Sequence, residues 1–204
     1  MTATVESDEV LVARARSGDR AAMEQLLRSH RPRLAALCRR MCANAHDAED
    51  ATQDALISIV RGLQRFDGRS SFVTWSHRVA ANACLDGLRY AARRPATSLD
   101  RATDPTRPAS SAEPSVASRD DATSTRLDIT AALLQLPEEF RQAVVLRDVA
   151  DLDYQEISDR LGIPIGTVKS RIARGRSLLA GVLRPIGNKP DPAQRPTSLQ
   201  DNEP

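Results

Sequence analysis

Aromatic side chains are scarce in this chain of 204 residues: three Phe, two Tyr and one Trp, or 3%. Sheets lean on aromatic and β-branched residues, so an apolar share of 41% carried by Ala, Leu, Val and Ile favours packed helices. Cysteine is nearly missing too. Cys38, Cys42 and Cys84 are an odd number with no disulfide framework, which excludes a small secreted scaffold and makes the cytoplasm the expected compartment. No apolar run approaches the roughly 18 residues of a membrane helix. The opening MTATVESDEV lacks a basic stretch followed by an apolar core, so no signal peptide is expected.

Catalytic signatures are absent as well. Neither G-x-S-x-G nor H-E-x-x-H occurs, and the stretch from Gly162 to Thr167 lacks the lysine and spacing of a phosphate-binding loop. The carboxylates lie along helices instead of converging from separate elements, so a hydrolase is not supported. Cys38, Cys42 and His46 stand at i, i+4 and i+8, which invites a zinc site. Each step of four drifts about 40° around a helix, so ligands eight apart diverge by about 80°. The cysteines read as small apolar fillers. No catalytic residue, metal or cofactor is expected.

Charge is present in quantity but balanced, with a net value of +2. It is segregated along the chain. Asp47, Glu49, Asp50 and Asp54 give residues 47–54 a net −4. Residues 61–94 carry seven arginines against Asp67 and Asp86, a net +5. Asp148, Asp151, Asp153, Glu156 and Asp159 make 148–159 a net −5, and Lys169, Arg171, Arg174, Arg176 and Arg184 make 166–184 a net +5. An acidic run followed by a basic one, twice over, implies distinct faces for distinct partners.

Residues 95–126 hold four prolines and many Ser and Thr, with only Leu99 and Val116 as larger apolar residues. Such a stretch buries too little to offset its ordering entropy, and it reads as a flexible linker between two domains. The proline-rich 185–204 reads as a disordered tail. The remainder, 8–94 and 127–184, is patterned for helices throughout. In the first part Val10–Ala15, Met23–Leu27 before Pro32, and Leu34–Met41 follow helical spacing. Ala51, Ala55, Ile59 and Leu63 then recur every four residues with Leu56 and Val60 alongside, and Phe72, Trp75, Val79, Ala83 and Leu88 line one more helix. The spacing of Trp75 and Phe72 assigns both to the core.

In the second part, Leu127–Leu136 forms a short helix and Pro137 opens another with Glu138 and Glu139 in its first turn. Tyr154–Leu161 is a helix that Gly162-Ile163-Pro164 cannot continue, and a further helix starts at Gly166-Thr167. Ile157, Leu161, Ile163, Val168 and Ile172 make a small wedge core at the spacing of a helix-turn-helix. The last helix then presents Thr167, Lys169, Ser170, Arg171, Arg174 and Arg176 away from that wedge without one acid. A cationic helix in this position suits the major groove of DNA and its phosphates.

Four motifs carry a resemblance to a known family: DAEDATQDALISIVRGLQRFDG (47–68), RSSFVTWSHRVAANACLDGLR (69–89), LPEEFRQAVVLRDV (136–149) and YQEISDRLGIPIGTVKSRIARGRSLL (154–179). In this order, split by a linker, they resemble the extracytoplasmic-function (ECF) class of bacterial RNA polymerase sigma factors. The resemblance implies an all-α chain of two small helical domains, 8–94 and 127–184. It implies core RNA polymerase and promoter DNA as partners, leaves an anti-sigma factor open, and calls for no membrane insertion. It places Asp50, Gln53 and Asp54 at the polymerase contact, with Asp54 where the broader family commonly has Glu. It places Arg69, Ser70, Ser71, Arg78 and Asn82 at the −10 element and its melting, and residues 167–176 at the −35 element. Recognition helices contact bases mainly through their first turns, which assigns base reading to Lys169, Ser170 and Arg171 and phosphate contacts to Arg174 and Arg176. The rival reading is a free-standing helix-turn-helix regulator with an N-terminal sensory domain. Such a sensor needs neither the acidic 47–54 run nor the arginine-rich 61–94 segment.

Overall fold

The computed structural model describes residues 6–93 and 129–187. The 95–126 linker and the tail beyond Gly187 lie outside the described residues. Everything described is helix, turn or loop, with no strand among those residues. The N-terminal unit comprises α1 (Asp8–Arg16), α2 (Arg20–Met41), α3 (Ala45–Gly62), a 3-10 turn (Leu63–Arg65) and α4 (Phe72–Arg93). A short helical segment over 129–134 begins the C-terminal unit. It continues as α5 (Glu138–Asp148), α6 (Tyr154–Leu161) and α7 (Ile165–Gly187).

Local chemistry sets the helix starts. The Ser7 and Asp19 side chains accept the first free backbone N–H groups of α1 and α2, and Asn44 does the same for α3 at Asp47 N, 2.8 Å. Helix α6 opens on a full capping box. Asp153 Oδ1 accepts from Glu156 N and Glu156 Oε2 accepts from Asp153 N, both at 2.8 Å. It ends at Gly162, whose φ of 65° is a left-handed conformation that suits a residue without a Cβ.

Two sequence expectations fail at prolines. The break before Pro32 does not occur, and α2 runs unbroken through it. Pro32 lies on an exposed turn of α2, where the carbonyl that loses its partner, four residues earlier, is on the solvent side and not in the core. Helix α7 likewise continues past Pro185 to Gly187, three residues into the segment expected to be tail.

Packing in the N-terminal unit is built from small residues. Helices α3 and α4 lie against each other and bury Ala48, Ala51 and Ala55 from one side and Ala80, Ala81 and Cys84 from the other. Larger side chains, Leu26, Leu34, Leu37, Met41 and Ile59, fill the space toward α2. Phe66, Phe72 and Trp75 form one aromatic cluster with ring centroids 5.1 to 6.2 Å apart, which puts Phe72 and Trp75 where their spacing suggested and adds Phe66. Gly62 leaves room for the Trp75 ring, since a Cβ there would stand 3.3 Å from it. The two units share a continuous apolar core, with α5 lying on α2.

The wedge of the C-terminal unit forms as expected: Ile157, Val168 and Ile172 are buried with Val145, Leu146 and Leu152, while Leu161 and Ile163 are half-buried against them. Helix α7 crosses α5 so closely that a Cβ on Gly175 would stand 2.6 Å from Val144 Cγ2 and 3.1 Å from the Phe140 carbonyl oxygen. Gly175→Ala gains up to about 1 kcal/mol of helix propensity. Overpacking into a backbone carbonyl costs about 1–3 kcal/mol, so the net effect is destabilising. Chemical denaturation followed by circular dichroism should show the loss, and an unchanged or raised midpoint would mean that α7 sits farther from α5 than described.

Candidate polymerase and nucleic-acid interfaces

Three surfaces carry the residues singled out in the sequence. On α3, the buried stripe Ala48, Ala51, Thr52, Ala55 and Ile59 turns Asp50, Gln53 and Asp54 together into solvent. Thr52, the polar member of the buried stripe, is satisfied by donating its hydroxyl to the Ala48 carbonyl at 2.7 Å. Nearby Arg31 reaches Glu49 at 2.9 Å, and exposed His46 stands 3.6 Å from Asp50. The thiols serve as packing. Contact with Cys38 and Cys42, together with burial, pushes the Cys84 thiol up, so it stays protonated.

The acidic row has an apolar continuation that the sequence pattern hid. Ile57 and Val60 are 47% and 45% exposed, and Tyr90 on α4 is 58% exposed. Val60 was expected alongside the core, but it lies 100° from Ile59, on the solvent side of the helix. Asp54, Ile57, Arg61, Asn82 and Tyr90 line one open groove of about 830 Å³ between α3 and α4. The sequence signal was available in hindsight: Ile57 follows Asp50 by seven positions and Gln53 by four, on the same helical row.

The second surface is the start of α4 and the loop before it. Ser71 caps the helix, its Oγ accepting from Thr74 N at 3.1 Å. Arg69 extends into solvent with Asp67 at 3.3 Å. Ser70 and Ser71 line a cavity of about 550 Å³ with Phe66, Gly68, Phe72, the cap residue Ser7 and residues of α1, among them Asp8. Beneath it, buried His30 meets Asp8 Oδ1 through Nε2 at 3.0 Å and lies edge-on to Phe72. Arg78 and Asn82 stand farther along α4 and are half-buried, because the C-terminal unit lies against them. Arg78 Nη1 donates to Glu156 Oε1 at 3.0 Å and Nη2 to the Asp151 carbonyl at 2.8 Å. Arg160 Nε donates to Asn82 Oδ1 at 2.6 Å. The five −10 candidates thus fall in two places, a loop that is open and a helix face that is covered.

The third surface is α7. Its core seam, Val168, Ile172, Gly175 and half-buried Leu179, fixes the outward direction. Ser170 and Arg174 lie on the opposite side and are exposed. Lys169 is exposed beside them, with Nζ 5.6 Å from the centroid of the Tyr154 ring. Thr167 is half-buried and its carbonyl accepts from Ser170 Oγ at 3.0 Å. Arg171 and Arg176 flank the seam instead of pointing away from it. Arg171 reaches Glu139 at 2.7 Å with its side chain only 25% exposed, and Arg176 Nε donates to Asp148 at 3.1 Å. That hydrogen bond raises the Arg176 pKa further, so it stays charged.

Comparison with known proteins agrees with the arrangement of helices. The family model "Sigma-70 region 2" matches residues 26–94, and "Sigma-70, region 4" matches 126–179. The chain is 39% identical over 177 residues to the ECF RNA polymerase sigma factor SigM of Mycobacterium tuberculosis, covering 87% of this chain and 85% of that protein. It is 40% identical over 170 residues to the ECF sigma factor SigE of Mycolicibacterium smegmatis, where it covers 82% of this chain and 65% of that longer protein. Among solved structures, the sigma factor RpoE of Bartonella quintana in complex with the anti-sigma factor NepR matches with a TM-score of 0.53 at 25% identity. That match covers 79% of this chain and 96% of that one. No described helix is long and apolar enough to cross a membrane, and no cluster of His, Cys, Asp or Glu among the described residues is arranged to hold a metal ion.

His77 gives the contact between the units a pH dependence. Its Nδ1 stands 3.1 Å from the Val149 carbonyl, and burial pushes its pKa below the ordinary value, with Arg33, His30 and Arg40 acting in the same direction. A depressed histidine pKa means the neutral ring is favoured in the folded state. The stability it supports is complete above the unfolded value of about 6.5 and falls as pH drops through it. Histidine titration by NMR should place the His77 midpoint below that value, with the folded chain losing stability on acidification. The Val149 hydrogen bond acts the other way, so a midpoint above that value would mean that the ring is less buried than described.

Proposed function

This chain belongs to the ECF class of the sigma-70 family, and we propose that it docks core RNA polymerase through α3, engages a −10 element with residues 69–82 and a −35 element with α7. It directs the polymerase to particular promoters and initiates transcription there. The observation that carries the reading is the pairing of an outward acidic row on α3 with an acid-free outward face on α7. A carboxylate row is complementary to a basic protein surface, whereas α7 is suited to the phosphates of DNA. The polymerase performs the chemistry, so the chain itself acts as a binding and positioning factor and not as an enzyme. Its partners place its work in the cytoplasm. An anti-sigma partner, of the kind bound to the Bartonella quintana protein, belongs to the same reading.

Polymerase docking rests on Asp50, Gln53 and Asp54, extended by Ile57. The carboxylates supply steering and register, while an exposed Ile supplies apolar area at the centre of a charged rim. Reversing the row, Asp50→Arg with Asp54→Arg, should abolish co-purification with core polymerase while leaving helicity unchanged. Unaltered capture of the polymerase would remove α3 from the interface.

Melting requires an unstacked base to be held, and the cavity beside Ser70 and Ser71 offers hydroxyls, with Arg69 supplying charge for the strand. Arg78 and Asn82 belong to the same reading. On the −35 side, the exposure of residues along α7 supports a different division of roles. Lys169, Ser170 and Arg174 are turned to the groove, Thr167 stands at the helix start for a phosphate, and Arg171 and Arg176 brace the helix through Glu139 and Asp148. A bidentate arginine–guanine contact is worth about 1–3 kcal/mol of discrimination. Arg174→Ala should therefore relax base preference at one or two positions of the −35 element in a competition binding assay. Arg171→Ala should lower thermal stability and weaken all sequences alike. Loss of base preference at Arg171 with none at Arg174 would mean that α7 presents another face to DNA.

A further inference from the structure

Tyr154 has no task in the reading above. It is exposed on the first turn of α6 and lies outside the wedge core that Ile157 anchors. Yet three helices of the C-terminal unit meet at its ring. From α5, the Arg147 guanidinium carbon stands over the ring, 5.3 Å from its centroid. From α7, the Lys169 ammonium stands 5.6 Å from the same centroid. The ring is fixed from two sides. The capping box of Asp153 and Glu156 holds the backbone beside it, with both hydrogen bonds at 2.8 Å. Arg147 is pinned in turn, since its Nη1 donates to the Leu152 carbonyl at 2.7 Å. Lys169 is the long, exposed partner of the three, and the ring gives it a resting place.

We propose that Tyr154 is a positioning residue for −35 recognition: its ring, braced by Arg147, holds the Lys169 ammonium at the base edges and away from the phosphates. The proposal rests on the assignment of α7 to the −35 element and of Lys169 to its groove. Two physical reasons favour a ring over an acid for this task. Arg171 and Arg176 are paired with Glu139 and Asp148, and a carboxylate cancels much of the charge it holds. An aromatic face attracts a cation through its quadrupole without neutralising it. The ammonium keeps its charge, and the N–H donors turned away from the ring stay free for an acceptor on a base. The second reason is restraint. A lysine is a compact charge on a flexible stem, and at a DNA surface a free ammonium settles on the nearest phosphate, which carries no sequence information. Held over Tyr154, it stays beside the first turns of α7, where a recognition helix meets base edges. Tyr154 acts in this way through its ring face, and its hydroxyl is not required.

The experiment uses the full chain bound to core polymerase. A promoter is recovered from a pool of random duplexes, its −35 segment is randomised, and base preference is read by sequencing the bound fraction. Tyr154→Phe should keep the preference, because the ring face is intact. Replacing that phenyl ring by mono-, di- and trifluorophenyl rings of nearly the same shape weakens the quadrupole step by step. Preference at one or two base pairs should then fall step by step, to about a third with three fluorines, while the thermal midpoint stays where it was. Lys169→Ala should lose preference at the same base pairs, and fluorination in that background should change nothing further. Weaker binding of all sequences alike on Tyr154→Phe, with no dependence on fluorine, would make the hydroxyl a backbone contact and overturn the proposal. Preference that ignores fluorine, but is lost on Lys169→Ala, would overturn the role of the ring and leave the −35 assignment standing. Preference unchanged by Lys169→Ala would overturn the placement of Lys169 at the bases. Failure of the unaltered holoenzyme to enrich any −35 sequence would overturn the assignment of α7 on which the proposal rests.

Discussion

The close approach of α3 to α4 is the constraint from which the rest of the molecule follows. Two helices whose facing residues are Ala48, Ala51, Ala55, Ala80, Ala81 and Cys84 have little side-chain volume to separate them, so their mutual orientation is set by backbone shape. Once that seam is fixed, the outward row of α3 and the outward row of α4 are fixed with it. One acidic face and one arginine-bearing face then emerge from the same small unit. Larger side chains of α2 and the aromatic cluster around Trp75 close the remaining space and tie the loop before α4 to the core.

Several of the arginines of α4 and α7 find acidic partners within the chain. Arg78 meets Glu156, Arg171 meets Glu139 and Arg176 meets Asp148. Such pairs, partly solvated, contribute about 0–1 kcal/mol each and are screened by salt. A chain with net charge near zero does not attract polyanions at long range. Its selectivity for DNA comes from which arginines are turned outward and which are held, and that distribution is set by the burial pattern of α4 and α7.

How much was readable varied by element. The helical repeats of α3, α6 and α7 were legible because each has apolar residues every three or four positions and a turn signal at its end. Pro32 misled, since a proline rule applied to the sequence alone cannot know that its turn of α2 faces solvent. Val60 misled for a related reason: an apolar residue next to Ile59 counts toward a hydrophobic stretch, although helix geometry turns it outward. Ile57 and Tyr90 were missed as candidate contact residues because exposure, not identity, is what marks them.

The sequence by itself determined the all-helical class, the helix-turn-helix, the stop at Gly162, and the acidic row of α3, because each depends on neighbours within about two turns of chain. Only the tertiary structure decided which arginines of α4 and α7 are free. Arg171 and Arg176 are held by acids 32 and 28 positions earlier, and Arg78 by Glu156, 78 positions later. No local periodicity encodes pairings at such separations; they arise when the apolar core brings α5 and α6 against α7 and α4, so that charges distant in sequence become neighbours in space.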